Sequence, residues 1–529
     1  MHVKHRDTVR IFPHSSVIRL TLPFGFHTQC RAMERSVIGV DIGTQGVKLL
    51  VYDPDQRRIV NSFSAPLDLI SRSDGSREQL AEWWIEAFHQ CLESIPAATR
   101  KTIAAIGVSG QQHGFVPLDE QGHVLAPVKL WCDTSTTEEC AALISETGGD
   151  DATMALTGVP LKVGYTASKI RWFRDHCPEL YQRMSTILLP HDFLNFYLTG
   201  NYCMECGDAS GTGLLDVRNR CWSKPLIDIL DPVRDLSPCL PPLIDAHQKA
   251  GLLRRDLAAE WGLPEQVIVA AGGGDNMMAA IGTGSVAPGR LTASLGTSGT
   301  LFAYCDEALI DPQGELAAFC SSSGGWLPLL CTMNCTIATE QLKTLFQLND
   351  SSLDNQAANI PAGADGVLTL PFYNGERTPN LPHGKAVIFG LDTTNTSSGH
   401  LVRSAMESAI FGIRNGLSAF SRCGVRFSEI TLAGGGSNSA LWRQICADIL
   451  DLPVKVLQQH ENAAFGAALQ ALWCHSHENN NHISLHRITD EHLTYNDDQS
   501  CQPNKKLVNA YNETYQRYLG LIEAVTPLY

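Results

Sequence analysis

Residues 271–300 read AGGGDNMMAAIGTGSVAPGRLTASLGTSGT, and they hold two chemical devices. The first is Gly272-Gly273-Gly274-Asp275-Asn276, a carboxylate after the apolar run 267–271, which reads as a buried strand. Three glycines before the acid let other backbone or a ligand come very close. The second is Ser294-Leu295-Gly296-Thr297-Ser298-Gly299-Thr300, set between the apolar runs 291–293 and 301–304. Strand, Gly-Thr-Ser-Gly, strand predicts a tight hairpin whose N–H groups and hydroxyls can cradle phosphate. Taken singly, each device has a plain reading as a turn or a helix cap. An acid and a phosphate loop within one short span point to phosphoryl transfer.

The same hairpin pattern stands near the start of the chain. Residues 37–53 predict a strand, a Gly-rich turn and a second strand, closed by Asp53-Pro54-Asp55. Asp41-Ile42-Gly43-Thr44-Gln45-Gly46 aligns without a gap with Ser294-Leu295-Gly296-Thr297-Ser298-Gly299. A G-T-x-G hairpin in each half predicts duplicated domains facing each other across a cleft. Only the first copy carries an acid before its turn. That acid suits magnesium, and the second copy would contact phosphate alone.

Between the hairpins, residues 103–109 read as a buried strand that ends in Gly110-Gln111-Gln112-His113-Gly114, a position typical of ligand contacts. Residues 129–136 are expected to form another strand ending in polar residues, and 138–147 and 169–176 to form helices. In the second half, 364–377 is expected to run from a strand into a polar loop, and 400–420 to be a long amphipathic helix. Residues 429–438 and 441–450 read as strand, Gly-rich turn and helix, a nucleotide-compatible crevice. The His- and Asn-rich stretch 474–498 is expected to be a solvated insertion, followed by a closing helix over 509–524.

A chain of 529 residues exceeds what one hydrophobic core usually serves, so two large domains are expected. With 44% hydrophobic and 18% charged residues the composition is that of a soluble globular protein. A formal charge of −15 argues against nucleic acid or an anionic membrane as partner. The 17 cysteines follow no pairing pattern. Cys203 and Cys206 form a C-x-x-C without a second pair, which reads as reduced structural thiols in the cytoplasm. No apolar run is long enough to span a bilayer. Residues 1–35 are basic (Lys4, Arg6, Arg10, Arg19, Arg31, Arg35) and are expected to form an N-terminal extension outside the fold. They read as a disordered or targeting segment, or as sequence preceding a true start at Met33.

These residues carry a family likeness over roughly 36–525: the chain resembles the FGGY carbohydrate kinases. Gly164-Tyr-Thr-Ala-Ser-Lys169-Ile-Arg-Trp172-Phe-Arg-Asp175-His176 fits one long family signature. Ala386-Val-Ile-Phe-Gly390-Leu391, with His400-Leu-Val-Arg-Ser-Ala-Met-Glu407 beyond it, fits a second. The resemblance implies an α/β fold of two actin-like, ribonuclease-H-like domains with a catalytic cleft between them. The expected division is 36–282 on the sugar side and 283–529 on the nucleotide side. Asp275 is similar to the family's catalytic base, and Gln112, His113 and Asn276 to its sugar contacts. Asp41 resembles the acid that, with Asp275, helps to place magnesium. Gly43, Thr44, Gly296 and Thr297 match phosphate-loop positions, and Gly434, Gly435 and Asn438 match the adenine side.

Within the family, Gly110-Gln-Gln-His-Gly114 with Trp131-Cys132-Asp133 resembles the kinases of xylulose more than those of glycerol or ribulose. The implied activity is ATP- and Mg2+-dependent phosphorylation of D-xylulose to D-xylulose 5-phosphate in the cytoplasm. Another ketose or polyol, gluconate among them, is the main rival substrate. A non-catalytic sugar sensor and an actin-like ATPase are rivals of another class. The implied partners are a small sugar and ATP, without nucleic acid or membrane; a homodimer is compatible with the resemblance.

Overall fold

The computed structural model describes residues 36–459 and 461–529. The extension expected over 1–35 lies outside the described residues. Counting only the strands of the two large sheets, the first half contributes β1 (Ser36–Ile42), β2 (Gly46–Asp53), β3 (Arg58–Pro66), β4 (Ile103–Gly110), β5 (Lys249–Leu252), β6 (Ile268–Ala270) and the short β7 (Gly273–Gly274). The second half contributes β8 (Leu291–Leu295), β9 (Gly299–Ala303), β10 (Ala317–Cys320), β11 (Trp326–Thr332), β12 (Ile430–Ala433) and β13 (Val454–Val456). The helices that position the site are α1 (Thr166–His176), α2 (Pro190–Thr199), α3 (Asp275–Gly282), α4 (Ser398–Arg422), α5 (Ala440–Leu450), α6 (Asn462–Glu478), α7 (Leu485–His492) and α8 (Lys505–Val525).

Every residue of β1 except Asp41 is buried, the signature of a central strand covered on both faces. β1 pairs antiparallel with β2, Ile42 opposite Val47, which leaves Gly43-Thr44-Gln45 as the turn. It pairs parallel with β4, which sets Asp41 beside Ser109. β8 repeats this arrangement. It pairs antiparallel with β9, Leu295 opposite Gly299, and parallel with β12, with Ser294 beside Ala433. Around the first hairpin the strands run β3-β2-β1-β4-β6, and around the second β11-β9-β8-β12-β13. The two runs have the same order and the same pattern of antiparallel and parallel neighbours. The duplication read from two G-T-x-G turns therefore extends through five strands of each sheet. Each half is an α/β layer structure of the ribonuclease-H-like kind.

The first sheet buries Ile38, Val40 and Val108 against Trp84 and Phe88. The second buries Leu295, Leu301 and Ile430 among Phe411, Tyr511 and other residues of the long helices α4, α5 and α8. The halves are not closed off from each other. Helix α6 lies late in the sequence but packs on β1, β4 and α3 of the first half. Glycine makes that approach feasible: a Cβ on Gly39 would stand 1.9 Å from the Ala464 carbonyl oxygen, and one on Gly107 1.9 Å from that of Ala467. On α6 itself, Phe465 is fully buried and meets the Tyr52 ring edge-on at 5.0 Å. Burying one such side chain is worth about 1.5–3 kcal/mol.

Two expectations are corrected here. Residues 474–498 are not a solvated insertion throughout. Cys474 ends the buried face of α6, and α7 buries Leu485, Ile488, Thr489 and His492. Those four positions recur at helical spacing, but the polar residues between them conceal the stripe. His492 and Tyr52 share a hydrogen bond of 2.7 Å between Nδ1 and the hydroxyl, which ties α7 to β2. The strand expected over 129–136 is also shorter, covering only Val128–Lys129. The chain then turns, because Asp133 takes up the amides of Arg77 and Ser135 (2.8 and 3.0 Å).

Candidate active site

The glycine run before Asp275 makes β7, which pairs with the end of β4 and sets Gly274 beside Gly110. Asp275 is thereby the first residue of α3, at the end of the helix that favours negative charge. Asn276 donates its main-chain N–H to Asp275 Oδ1 at 2.7 Å and its side-chain amide to the same oxygen at 3.0 Å. Burial dominates nonetheless. With the negative charges of Asp41 and Asp208 nearby, it pushes the Asp275 carboxyl up to about 7. The Asn276 amide also donates to Gln112 Oε1 at 3.0 Å, so the turn after β4 and the start of α3 are joined.

His113 sits in the left-handed region, with φ of 64°, a conformation that surrounding contacts must enforce. Lys169 and Thr166 on α1 both donate to its carbonyl, at 2.6 and 3.2 Å. Its Nδ1 lies 2.7 Å from the carbonyl oxygen of Gly211. A carbonyl only accepts, so Nδ1 carries the proton and Nε2 is left as an acceptor. Burial, then the positive charge of Lys169, pushes the His113 pKa down to about 3, so the ring is neutral. It stacks on Tyr165 with centroids 4.5 Å apart. The family signature beginning at Gly164 thus includes the residues that hold this histidine in place.

Behind these residues lies a buried ionic cluster. His191 of α2 contacts Asp208 at 2.7 Å and Asp192 at 2.9 Å, all three inaccessible or nearly so. Burial opposes a charge on His191, but the two carboxylates outweigh it and keep its pKa well above the usual range. Asp208 in turn borders the glycine run, since a Cβ on Gly274 would lie 2.8 Å from Asp208 Oδ1.

The hairpins differ in what they offer. Thr44 spends its hydroxyl within the protein, donating to Gln111 (2.9 Å) and accepting from the Trp131 indole (3.0 Å). In the second hairpin, Gly296 donates to Ser298 O at 3.1 Å, and Cys335 donates to Thr297 O at 2.9 Å. Ser294, Gly296, Ser298 and Thr300 face a cleft of about 240 Å³ that also contains Gln112, His113, Asp275 and Asn276. The Thr300 hydroxyl is buried there without a hydrogen-bond partner among the described residues. Five of the expected site residues therefore share one cleft: Gln112, His113, Asp275, Asn276 and Gly296. Gly43, Thr44 and Thr297 lie in the turns beside it. Gly434 packs against β8, where a Cβ would stand 2.7 Å from Leu295 O, and Gly435 and Asn438 are exposed beyond it. Asp41 lies at the end of β1 and accepts from the Ser109 hydroxyl at 2.7 Å. Its pKa is raised by burial and held back by that bond.

Asp41 and Asp275 are thus two half-buried carboxylates, near enough for the charge of Asp41 to act on Asp275, with no cation among the described residues within ion-pairing distance. Such a pair fits a divalent cation. Among the described residues no group of three or more ligating side chains is assembled.

Comparison with known proteins settles the family. Residues 36–282 match the N-terminal domain of the FGGY family of carbohydrate kinases, and residues 291–475 match its C-terminal domain. The chain belongs to the FGGY family of carbohydrate kinases. This FGGY kinase is 43% identical to the xylulose kinase of Haemophilus influenzae over 489 residues, 91% of this chain and 98% of the relative. A solved structure from Brucella ovis, described as a xyloylose kinase, is 33% identical with a TM-score of 0.86, covering 93% of this chain and 100% of its own. The gluconate kinase of Lactobacillus acidophilus is similar in fold (TM-score 0.84) at 22% identity, covering 93% of this chain and 98% of its own. Likeness at that level shows the fold alone.

Several residues of the FGGY kinase cleft escaped the reading of the sequence. Lys162, Phe319, Cys331, Arg377 and Thr378 line it, and Gln470 on α6 holds Gly272, on the run that leads to Asp275. They come from separate loops and strands, and no local pattern marks them. Only Arg377, in a polar loop after an apolar run, carried a signal. No helix among the described residues is long and apolar enough to cross a membrane.

Proposed function

We propose that this kinase transfers the terminal phosphoryl group of ATP to D-xylulose, giving D-xylulose 5-phosphate, with Asp275 as the general base. The reading rests on one observation: Asp275, Asn276, Gln112 and His113 share a cleft with the hydroxyls of the second hairpin, in a chain of the stated identity to a xylulose kinase. A sugar hydroxyl has a pKa far above neutrality, so it needs an acceptor in place as its proton leaves. Asp275, held near neutrality in pKa by burial and by Asp41, is suited to take that proton from the attacking oxygen. His113 Nε2 can accept from another sugar hydroxyl, and the Asn276 and Gln112 amides can orient the sugar.

The phosphates would lie against the two turns. Gly43 and Thr44 form the first turn; the Gly43 N–H is donated to Gly46 O (3.0 Å) and the Thr44 hydroxyl is engaged, so the Thr44 main-chain N–H is the donor this turn would offer. On the other side stand Gly296, Thr297 and the unpartnered Thr300 hydroxyl. Gly434, Gly435 and Asn438 would flank the adenine. Asp41 and Asp275 would hold magnesium, which when bound neutralises charge on the transferring phosphoryl group. Little covalent chemistry is asked of the protein. It positions the groups, excludes water and supplies fixed donors. The cytoplasm is the compartment that supplies ATP to such an enzyme. A homodimer is compatible with this function, and light scattering of the purified chain measures it.

The test is a coupled ADP-release assay with D-xylulose, ribulose, glycerol and gluconate at equal concentration. The expected result is the highest kcat/KM for D-xylulose. Preference for glycerol or gluconate would overturn the substrate, and no turnover with any sugar would favour a sensor.

A further inference from the structure

The cleft holds two cations that the proposed chemistry has not used. Lys162 belongs to the loop before α1, in the first half, and Arg377 to the loop after Phe372, in the second. Both are half-buried. Among the described residues neither side chain has a carboxylate within ion-pairing distance or a hydrogen-bond partner.

Asp275 shares the cleft but, among the described residues, makes no ion pair with either cation, and the acids next to them are committed elsewhere. Glu376 precedes Arg377 directly, but its carboxylate accepts from the main-chain N–H groups of Met333 (2.6 Å) and Arg377 (2.7 Å) and from the Asn334 amide (3.0 Å). Glu315, which also borders the cleft, pairs with Arg422. Burial and then the charge of Arg377 act against a proton on Lys162, and Glu315 and Asp150 offset this only in part. Cys331 and Asp275 line this cleft together with Lys162 and Arg377. Half-buried cations that no carboxylate pairs directly favour an anion beside them. A ketose or polyol carries no charge. The transferred phosphoryl group does.

We propose that Lys162 and Arg377 form an anion subsite that takes the phosphate ester of the sugar-phosphate product. The subsite spans the two halves of the chain and faces the hydroxyls of the second hairpin across the cleft. It rests on the kinase reading given above. It adds two product-binding residues that the phosphate turns do not include. Both lie outside the long motifs by which the chain resembles its family.

The test is calorimetric titration of the full chain, without nucleotide, with D-xylulose 5-phosphate, D-xylulose and inorganic phosphate in turn. Wild type, Lys162→Gln, Arg377→Gln and Arg377→Lys are compared, with thermal midpoints as the check on folding. Each Gln variant should weaken the sugar phosphate about tenfold or more, the scale of one charge-assisted hydrogen bond. Binding of neutral D-xylulose should change less than about threefold, a difference too small to reflect a lost charged contact. Arg377→Lys should recover part of the loss. Equal weakening of sugar and sugar phosphate, or no weakening of either, would overturn the subsite. Inorganic phosphate binding as tightly as the ester would overturn its assignment to the product. If one variant fails to fold, the other decides. If wild type binds neither xylulose ligand but does bind another sugar and its phosphate, the substrate reading fails and the same comparison is made on that pair.

Discussion

Asp275 shows how one side chain acquires its chemistry from its surroundings. A carboxyl at a helix start with two hydrogen bonds from Asn276 would ordinarily stay ionised well below neutrality. Burial and the charge of Asp41 reverse that and bring it to about 7. Asp275→Asn keeps the size and the hydrogen bonding but cannot take a proton. Turnover should fall about 10²–10⁴-fold, while calorimetry shows sugar binding nearly unchanged. Less than a tenfold loss would remove Asp275 as the base. Asp133, the other acid near the sugar motif, is committed to Arg77 and Ser135, so it has no free oxygen to substitute.

At the scale of the element, helix α6 holds the floor of the site. Gln470 accepts from Gly272 N at 2.9 Å and donates to Gly272 O at 3.0 Å, which fixes the strand leading to Asp275. Replacing it by leucine leaves two buried main-chain groups unpaired, at roughly 1–3 kcal/mol each. Gln470→Leu should lower the urea midpoint and reduce kcat more than it raises KM, since the base moves with Gly272. Unchanged kinetics in a folded variant would show that the glycine strand holds its place unaided. Helix α7 gives a pH prediction. Burial, then Arg57, lowers the His492 pKa below 6.5, so the folded chain takes up this proton later than the unfolded chain. Its contribution is present above about pH 6.5 and is lost as pH falls below that value. His492→Gln should therefore show a shallower fall in thermal midpoint than wild type between about pH 7 and pH 5. Parallel curves would contradict this.

At the scale of the molecule, two sheets of like topology carry unlike residues at matched places. Asp41 on β1 and Ser294 on β8 hold equivalent positions, each one strand from a parallel neighbour. The duplication supplies the symmetry, and a single substitution of acid for hydroxyl breaks it. Asp41→Ala should raise the magnesium concentration needed for half-maximal activity and reduce kcat. Ser294→Ala should do much less, because no cation is asked of it. Equal losses would contradict the division of labour between the halves.

The sequence by itself determined the two hairpins, the acid after the glycine run, the turn at Gln112 and His113, and the order of the halves. All of these rest on local rules: apolar runs make central strands, and Gly-Thr turns close hairpins. The family signatures added the fold. Tertiary structure alone decided that α6 crosses to the first sheet, that Gln470 grips Gly272 and that α7 is packed rather than solvated. It also decided that Lys162 and Arg377 meet in one cleft. The physical reason is common to these cases. Close helix packing on Gly39 and Gly107, a buried amide pairing with distant backbone, and two cations left without partners are relations between residues far apart in the chain. Their free energy depends on what is excluded from water around them, and no local pattern records that.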